Sequence, residues 1–304
     1  MAQVLAVPGD VRHGFSYIGQ FNHDFGRIIG IAATIKGNIL LCDYVKKNLI
    51  LVDPHGNYLN KLDVDSEPYG VAITSQNIGY ITQPNSRTVL QIDPDKMIVL
   101  FKVTCDDLNT TVSCVSALPN TGRDLSGTKP CFFGVNKDGC MYAGGVSYEQ
   151  ISSTITDISK NGRMIGSRVV KFHTLNKDSF VSCIGGQNYI RHNFSTSRRP
   201  HMDTFYHNKI YNIATMDSPT DICSDDNSHI YVSGQGSNNI HRLVEDTKYS
   251  NKLKRMETDW KVLDIPLDSH HGIKEPVALC FNQDYSKLYI VNEWGKSVLV
   301  FDVI

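Results

Sequence analysis

Three short apolar runs between Glu67 and Asp93, namely Val71–Ile73, Tyr80–Thr82 and Val89–Ile92, are separated by turn residues at even intervals. Valine, isoleucine, tyrosine and threonine fill the runs, whereas Gln76-Asn77, Pro84-Asn85-Ser86 and Asp93-Pro94-Asp95 supply the turns. β-Branched and aromatic residues suit a pleated, half-buried surface, and Asn, Asp and Pro pre-form tight reversals. A fourth run, Met97–Phe101, follows directly. The stretch therefore reads as a meander of four antiparallel strands.

The pattern recurs. Gly30 and Gly70 open equivalent units 40 residues apart, a period that belongs to arrays of small sheets. The first unit has strands at 30–34, 39–43 and 49–53, followed by the turn Pro54-His55-Gly56-Asn57. Further units are expected with strands near 131–135, 140–143 and 153–158 and a fourth after the turn at 159–162, then 179–183, 188–194, 202–207 and 209–214, then 218–223, 229–233, 239–243 and 260–263, and last 275–280, 287–291 and 297–302. The last unit is one strand short, and the alternating segment Phe15–Phe21 can supply it by pairing with Val298–Asp302. Such an overlap removes two free sheet edges. The expected fold is an all-β, six-bladed β-propeller of four-stranded antiparallel blades, closed by the N-terminal strand. One domain spans 1–304, with blades near 24–65, 66–104, 129–172, 173–217, 218–265 and 275–304 plus 15–21. Polar insertions are expected at 105–128 and 245–254.

Composition narrows the function classes. With 41% hydrophobic and 20% charged residues the chain has material for a core. A formal net charge of −1 excludes binding of a polyanion by global field and leaves only a local basic patch. No apolar run reaches the ~18 residues that span a bilayer, and Met1–Asp10 lacks a signal-peptide pattern, so a cytoplasmic protein is expected, monomeric and without membrane contact. The eight cysteines, at 42, 105, 114, 131, 140, 183, 223 and 280, are scattered and read as reduced thiols.

Several motifs carry a family likeness. At Glu67-Pro68-Tyr69-Gly70-Val71-Ala72, Gly37–Asp43, Ser218–Ile222 and Ser237–Ile240 the chain resembles NHL repeats, the propellers at the C-terminus of tripartite-motif proteins. The family's Asp, Asn and Arg around the second strand and its following loop appear as Asp43 and Asn48 in the first unit. In the second, Gln83 replaces the Asp while Asn85 and Arg87 remain; Gly234 and Asn292 hold the place in the last two. The resemblance implies a recognition module for protein or single-stranded RNA, one that selects substrates for ubiquitin transfer in a full-length tripartite-motif protein. No zinc-ligand spacing or heptad run accompanies it.

In a four-strand meander, the loops between second and third strands share one end of the sheet with the connections between blades. The residues expected on this face are Tyr44, Lys46, Lys47, Arg87, Tyr148, His192, Arg198, Arg199, His201, Gln235, Asn238, Asn239, Trp294 and Lys296. The blade connections add Tyr69, Lys129 and Lys274. Cations interleaved with aromatics suit a protein hot spot or the stacking of bases above phosphates. Binding of a protein or peptide is the expected function, and single-stranded RNA on the same face is the alternative.

An enzyme is not expected. Calcium-dependent propeller hydrolases hold a metal on inner strands with several oxygens, and here only Asp221 offers one. His270-His271 are adjacent, and on an extended segment they would point apart. No G-x-S-x-G elbow, phosphate-binding glycine loop or H-E-x-x-H occurs. Neither a metal nor a cofactor is expected.

Overall fold

The structure, a computed structural model, describes residues 14–74, 76–104, 110–117, 130–136, 141–145, 168–173, 179–184, 189–194, 207–212, 216–227, 229–250 and 255–304, with side chains described outside 103–215 and 245–260. In the first blade, strands β2 (Ile28–Ala33), β3 (Ile39–Asp43), β4 (Asn48–Val52) and β5 (Tyr58–Asp63) form an antiparallel meander. The second blade repeats it with β6 (Val71–Ile73), β7 (Gly79–Gln83), β8 (Thr88–Asp93) and β9 (Ile98–Thr104). A later blade, here called the polar blade, contains β17 (Pro219–Ser224), β18 (Ile230–Gly234), β19 (Asn239–Ser250) and β20 (Arg255–Leu267). Of the segment 245–254, expected as a polar insertion, 245–250 belong to β19, whose ladder with β20 extends to Ser250 opposite Arg255, and 251–254 lie outside the described residues.

The closing blade is built from both ends of the chain. Strands β21 (Ala278–Phe281), β22 (Lys287–Asn292) and β23 (Ser297–Val303) are completed by β1 (Phe15–Phe21). β1 runs antiparallel to β23 from Phe15 opposite Val303 to Phe21 opposite Val298. Gly14 and Ile304 exchange two backbone hydrogen bonds of 2.8 and 2.9 Å, which ties the last residue to this strand.

Alternation along the middle strands explains how the blades pack. Successive side chains of a strand face opposite sides, so each blade divides its apolar residues between its two neighbours. Ile39 and Leu41 join a buried cluster with Val277, Ala278, Cys280, Tyr289 and Val291 of the closing blade. Leu40 and Cys42, one step out of phase, pack with Ile81, Leu90, Ile92 and Met97 of the second blade. In β22 the same split sends Tyr289 and Val291 toward the first blade, and Leu288 and Ile290 toward Tyr231 and Ile240 of the polar blade. All five residues of β3 and all five of β4 are buried. Read as sequence, such strands are nearly unbroken apolar runs.

The middle of the chain departs from expectation. β10 (Thr110–Ala117), β11 (Pro130–Asn136) and β12 (Met141–Gly145) form a three-stranded sheet. β13 (Arg168–His173), β14 (Ser179–Ile184), β15 (Tyr189–Phe194) and β16 (His207–Asn212) form a sheet in the order β14-β13-β15-β16, with β13 and β15 parallel. Neither is a four-stranded meander. The expected six-bladed architecture is therefore corrected: among the described residues, four blades of four antiparallel strands are found. The physical reason is that apolar alternation marks a strand without naming its partner. Thr110–Ala117, expected within a polar insertion, is rich in β-branched residues and pairs with β11.

Strands β21, β2, β6, β10, β14 and β17 adjoin one another in that order, and β17 returns to β21. Among the described residues no helix is long and apolar enough to cross a membrane.

Candidate partner-binding face

In the first, second and closing blades the last residue of the second strand fastens the chain segment that enters the blade. Asp43 Oδ2 accepts from the Gly26 N–H at 2.7 Å, and its Oδ1 accepts from the N–H groups of Arg27 and Lys46 at 3.0 Å each. The Gln83 amide donates to the Ser66 carbonyl at 2.9 Å and accepts from Thr88 Oγ1 at 2.9 Å. Asn292 accepts from the Lys274 N–H at 2.8 Å and donates to the Gly272 carbonyl at 3.0 Å. In the polar blade Gly234 has no side chain, and Ser237 Oγ instead accepts from the Asp217 N–H at 3.1 Å. Three of the positions likened to the NHL motif, Asp43, Gln83 and Asn292, are thus structural fasteners. Asp, Gln and Asn each reach a backbone that would otherwise be left unpaired.

Above these fasteners sits Trp294. Glu293, Trp294 and Gly295 follow one another in the left-handed region, at φ of 51°, 56° and 91°. Only glycine adopts this region without penalty, and a tryptophan there is strained. Gly295 is required because a Cβ would stand 2.3 Å from the Ile28 carbonyl oxygen. That close approach fixes the loop against β2 and turns the indole outward, leaving it 43% exposed. The Arg27 guanidinium stacks over the ring at 4.3 Å from its centroid, a cation–π arrangement.

The lysines expected to make a basic patch are engaged within the protein. Lys46 Nζ pairs with Asp24 at 2.7 Å and Lys47 Nζ with Glu67 at 2.9 Å, while Lys274 lies 3.8 Å from Glu293. Lys296 Nζ donates to the carbonyls of Phe25 and Gly26. Glu67 also accepts from Asn85 Nδ2 at 3.1 Å and Ser66 Oγ at 3.0 Å. The Lys47 ammonium, with these donors and the Glu67 backbone N–H, holds the Glu67 carboxyl down at about 2. Tyr44 meets Tyr69 edge to face at 6.4 Å and 84°, and its hydroxyl accepts from Asn85 at 3.3 Å. Pairs between Trp294 and Arg27, Lys46 and Asp24, Lys47 and Glu67, and Tyr44 and Tyr69 thus trace an arc from the closing blade to the second.

The structure brings together Tyr44, Lys46, Lys47, Tyr69, Trp294 and Lys296. Arg87 is exposed in the second blade's loop at φ 53°, without an ion pair to any described residue. Asn239 is not presented: it is 8% exposed, and its Oδ1 accepts from Ser237 Oγ at 2.7 Å. Tyr148, Arg198, Arg199, His201 and Lys129 lie outside the described residues, and of His192 only its place in β15 is described. Arg27 and Glu67 were missed as site residues, whereas Asn85 was noted as a motif residue of the second blade's loop. Arg27 and Glu67 occupy blade connections of the kind that offered Tyr69, and that position was the one signal available.

Two further expectations meet the geometry differently. Asp221, the one inner-strand carboxylate noted in the sequence, accepts from the Leu279 N–H at 2.9 Å and so ties β17 to β21. Desolvation raises its carboxyl to about 7, against the pull of backbone hydrogen bonds from Leu279 and Ile222. His270 and His271 do not point apart, because Ser269–His271 is a turn of 3₁₀ helix rather than an extended segment. Both ring nitrogens Nδ1 lean on Asp268, at 3.3 and 2.9 Å, and Asp268 caps that turn by accepting from the His270 N–H at 2.9 Å. Among the described residues no group of three His, Cys, Asp or Glu side chains is arranged to hold a metal ion.

A scan of protein-family models found no match, and no curated protein matches the chain. Solved structures do match. A catalytically inactive virginiamycin B lyase from Staphylococcus aureus with quinupristin aligns over 95% of this chain and 100% of its own, at 12% identity and a TM-score of 0.56. The β-propeller domain of Cps50 (Swd1) from Myceliophteria thermophila aligns over 95% and 100%, at 7% identity and a TM-score of 0.53. The fold is a β-propeller. Hydrazine synthase from Kuenenia stuttgartiensis aligns over 93% of this propeller and 97% of its own chain, at 12% identity and a TM-score of 0.54. Likeness at this identity carries the fold alone, and membership in the NHL or tripartite-motif group does not follow. The expectation that the chain is no enzyme is corrected: the propeller fold it shares is also that of a lyase and a synthase, so absent catalytic motifs do not decide the matter.

Proposed function

We propose that this propeller is a recognition module that holds a protein partner on the arc between its closing and second blades. Trp294 is the observation that carries the reading. An indole held outward on strained backbone, with a cation behind it and tyrosines along the arc, has the composition of an interface hot spot. Strain of this kind is kept where the surroundings over-determine it.

Engagement of the lysines favours protein over RNA. A single-strand RNA groove follows the phosphates with free cations, whereas here Lys46, Lys47 and Lys296 already have acceptors within the fold. The likeness to NHL repeats extends the reading to substrate choice in ubiquitin transfer, and that extension is supported by the motifs alone.

The test compares the intact chain with a Tyr69→Ala/Trp294→Ala variant in quantitative affinity capture, with melting curves for both. Loss of a defined partner from a variant that melts normally is the expected result. Equal partner sets would overturn the reading. So would binding of oligouridylate whose log affinity falls against log salt with a slope of about −0.7 per contact.

A further inference from the structure

The Arg27 guanidinium has no hydrogen-bond acceptor among the described residues, and its Nε is buried without a partner. A half-buried guanidinium left this way is costly unless something completes it, since buried donors are nearly always paired. The nearby acceptors are all engaged. Asp43 already accepts from three N–H groups, two of them on Oδ1. Asp24 is taken by Lys46, and Lys296 occupies the carbonyls of Phe25 and Gly26. The Glu293 carboxylate, on the same loop as Trp294, accepts from Ser297 Oγ at 3.1 Å.

Arg27 is also held in place before any ligand arrives. Its N–H donates to Asp43 and its carbonyl accepts from the Tyr44 N–H at 2.9 Å, so the backbone is pinned from both sides. The indole of Trp294 covers one face of the guanidinium at 4.3 Å. What remains is a planar, rigid fork of donors beside an exposed apolar surface. That combination matches a carboxylate attached to an apolar neighbour, because guanidinium and carboxylate meet through two parallel N–H···O bonds.

We propose that Arg27 and Trp294 form a carboxylate-binding notch at the seam of the closing and first blades, which takes an acidic group from the partner protein. This rests on the recognition reading above and names its chemistry. A fork held beside the indole, with Lys46, Lys47 and Lys296 already engaged around it, suits one carboxylate rather than a run of phosphates. The carboxylate comes either from an Asp or Glu side chain or from a C-terminus, and the two are separable by experiment.

The emission of Trp294 reports occupancy, with Trp294→Phe as the blank for the chain's other tryptophan. The probes are acetyl-Gly-Leu-Glu-Leu-Gly-amide, acetyl-Gly-Leu-Gln-Leu-Gly with a free C-terminus, and its amide, which lacks any carboxylate. Saturation by one of the first two and not by the third is expected, and which of them binds identifies the source. Arg27→Gln should weaken that binding at least tenfold with an unchanged melting curve, and Arg27→Lys should restore part of it. Equal binding of all three probes, binding unaffected by Arg27→Gln, or no saturation by any of them would overturn the notch. A partner that depends on Trp294 in capture but binds Arg27→Gln as it binds the intact chain would overturn the notch alone. Equal partner sets in the capture experiment would remove the recognition reading itself.

Discussion

The polar blade and the closing blade are neighbours with the same strand layout, and their middle strands differ at matching positions. Tyr231 stands opposite Arg242 in one, and Tyr289 stands opposite Val300 in the other. In the polar blade, Asp225 accepts from the His229 N–H at 2.8 Å, from Tyr231 Oη at 3.0 Å and from the Asn227 N–H at 2.9 Å, with His229 Nδ1 at 2.8 Å. Arg242 continues the chain to Tyr231 Oη at 3.5 Å and to Asp264 at 2.8 Å. Asp225, His229, Tyr231 and Arg242 are all buried. In the closing blade, apolar packing of Leu288, Val300 and Phe301 does the same work, and Tyr289 Oη finds the Pro54 carbonyl at 3.1 Å. The same backbone pattern tolerates either solution, but a buried network is stable only while every member is satisfied.

The largest effect should come from the closing blade's dependence on the N-terminus. Deleting residues 1–22 removes β1 and bares the β23 edge, and the expected outcome is loss of cooperative unfolding with aggregation on sizing chromatography. A truncated chain that melts as the intact one would show that closure is not needed. Next, Asp225→Ala strips acceptors from His229, Tyr231 and two backbone N–H groups, and should cost about 3–5 kcal/mol in chemical denaturation. A cost below about 1 kcal/mol would mean that water replaces the carboxylate and that the two blades are not different in kind.

His241 sharpens the comparison through pH. It occupies the place of Leu299 and is fully buried, and desolvation lowers its pKa from 6.5 to about 4. The unfolded chain therefore binds a proton that the folded one refuses, so this stability is fully present above 6.5 and is lost as pH falls toward 4, by about 3 kcal/mol. Asp221 acts in the opposite sense. Its carboxyl, raised to about 7, keeps its proton in the folded state, so its contribution is present at low pH and lost as pH rises from about 4 to about 7. The two oppose each other below 6.5. Denaturation midpoints across pH 4 to 7 should separate them: His241→Leu removes the acid-side loss, and Asp221→Asn removes the loss toward neutral pH. Identical pH profiles for all three proteins would overturn both assignments. The smallest effect is expected for Tyr289→Phe, about 1 kcal/mol for one hydrogen bond to Pro54; a cost like that of Asp225→Ala would show the apolar blade to be equally polar in its dependence.

Much of the fold could be read from the residues because strand chemistry is local. Ile39–Asp43, Tyr80–Thr82 and Val298–Asp302 announce themselves by β-branched content and flanking turns, and the missing strand of the last unit pointed to Phe15–Phe21. Pairing is not local, which is why 105–128 was read as an insertion and 129–217 as two ordinary blades, whereas the described strands β10 to β16 form a three-stranded sheet and a sheet with a parallel pair. On the candidate face, Tyr44, Tyr69 and Trp294 were legible as loop aromatics. That Lys46 and Lys47 are paired, and that Arg27 is not, depends on residues 22 and 20 positions away for the lysines and 267 for Arg27 and Trp294.

By itself, then, the sequence determined where strands and turns fall in the first, second and closing blades, the 40-residue period of the first two units and the use of both chain ends in one blade. These follow from short-range sterics and period-two alternation. Only the tertiary structure decided which sheets are full meanders, which blade carries a charged interior, and that a guanidinium is left facing an exposed indole. Each is a balance between partners brought together by the ring, and a hydrogen bond made or missed there carries no trace in the spacing of the residues.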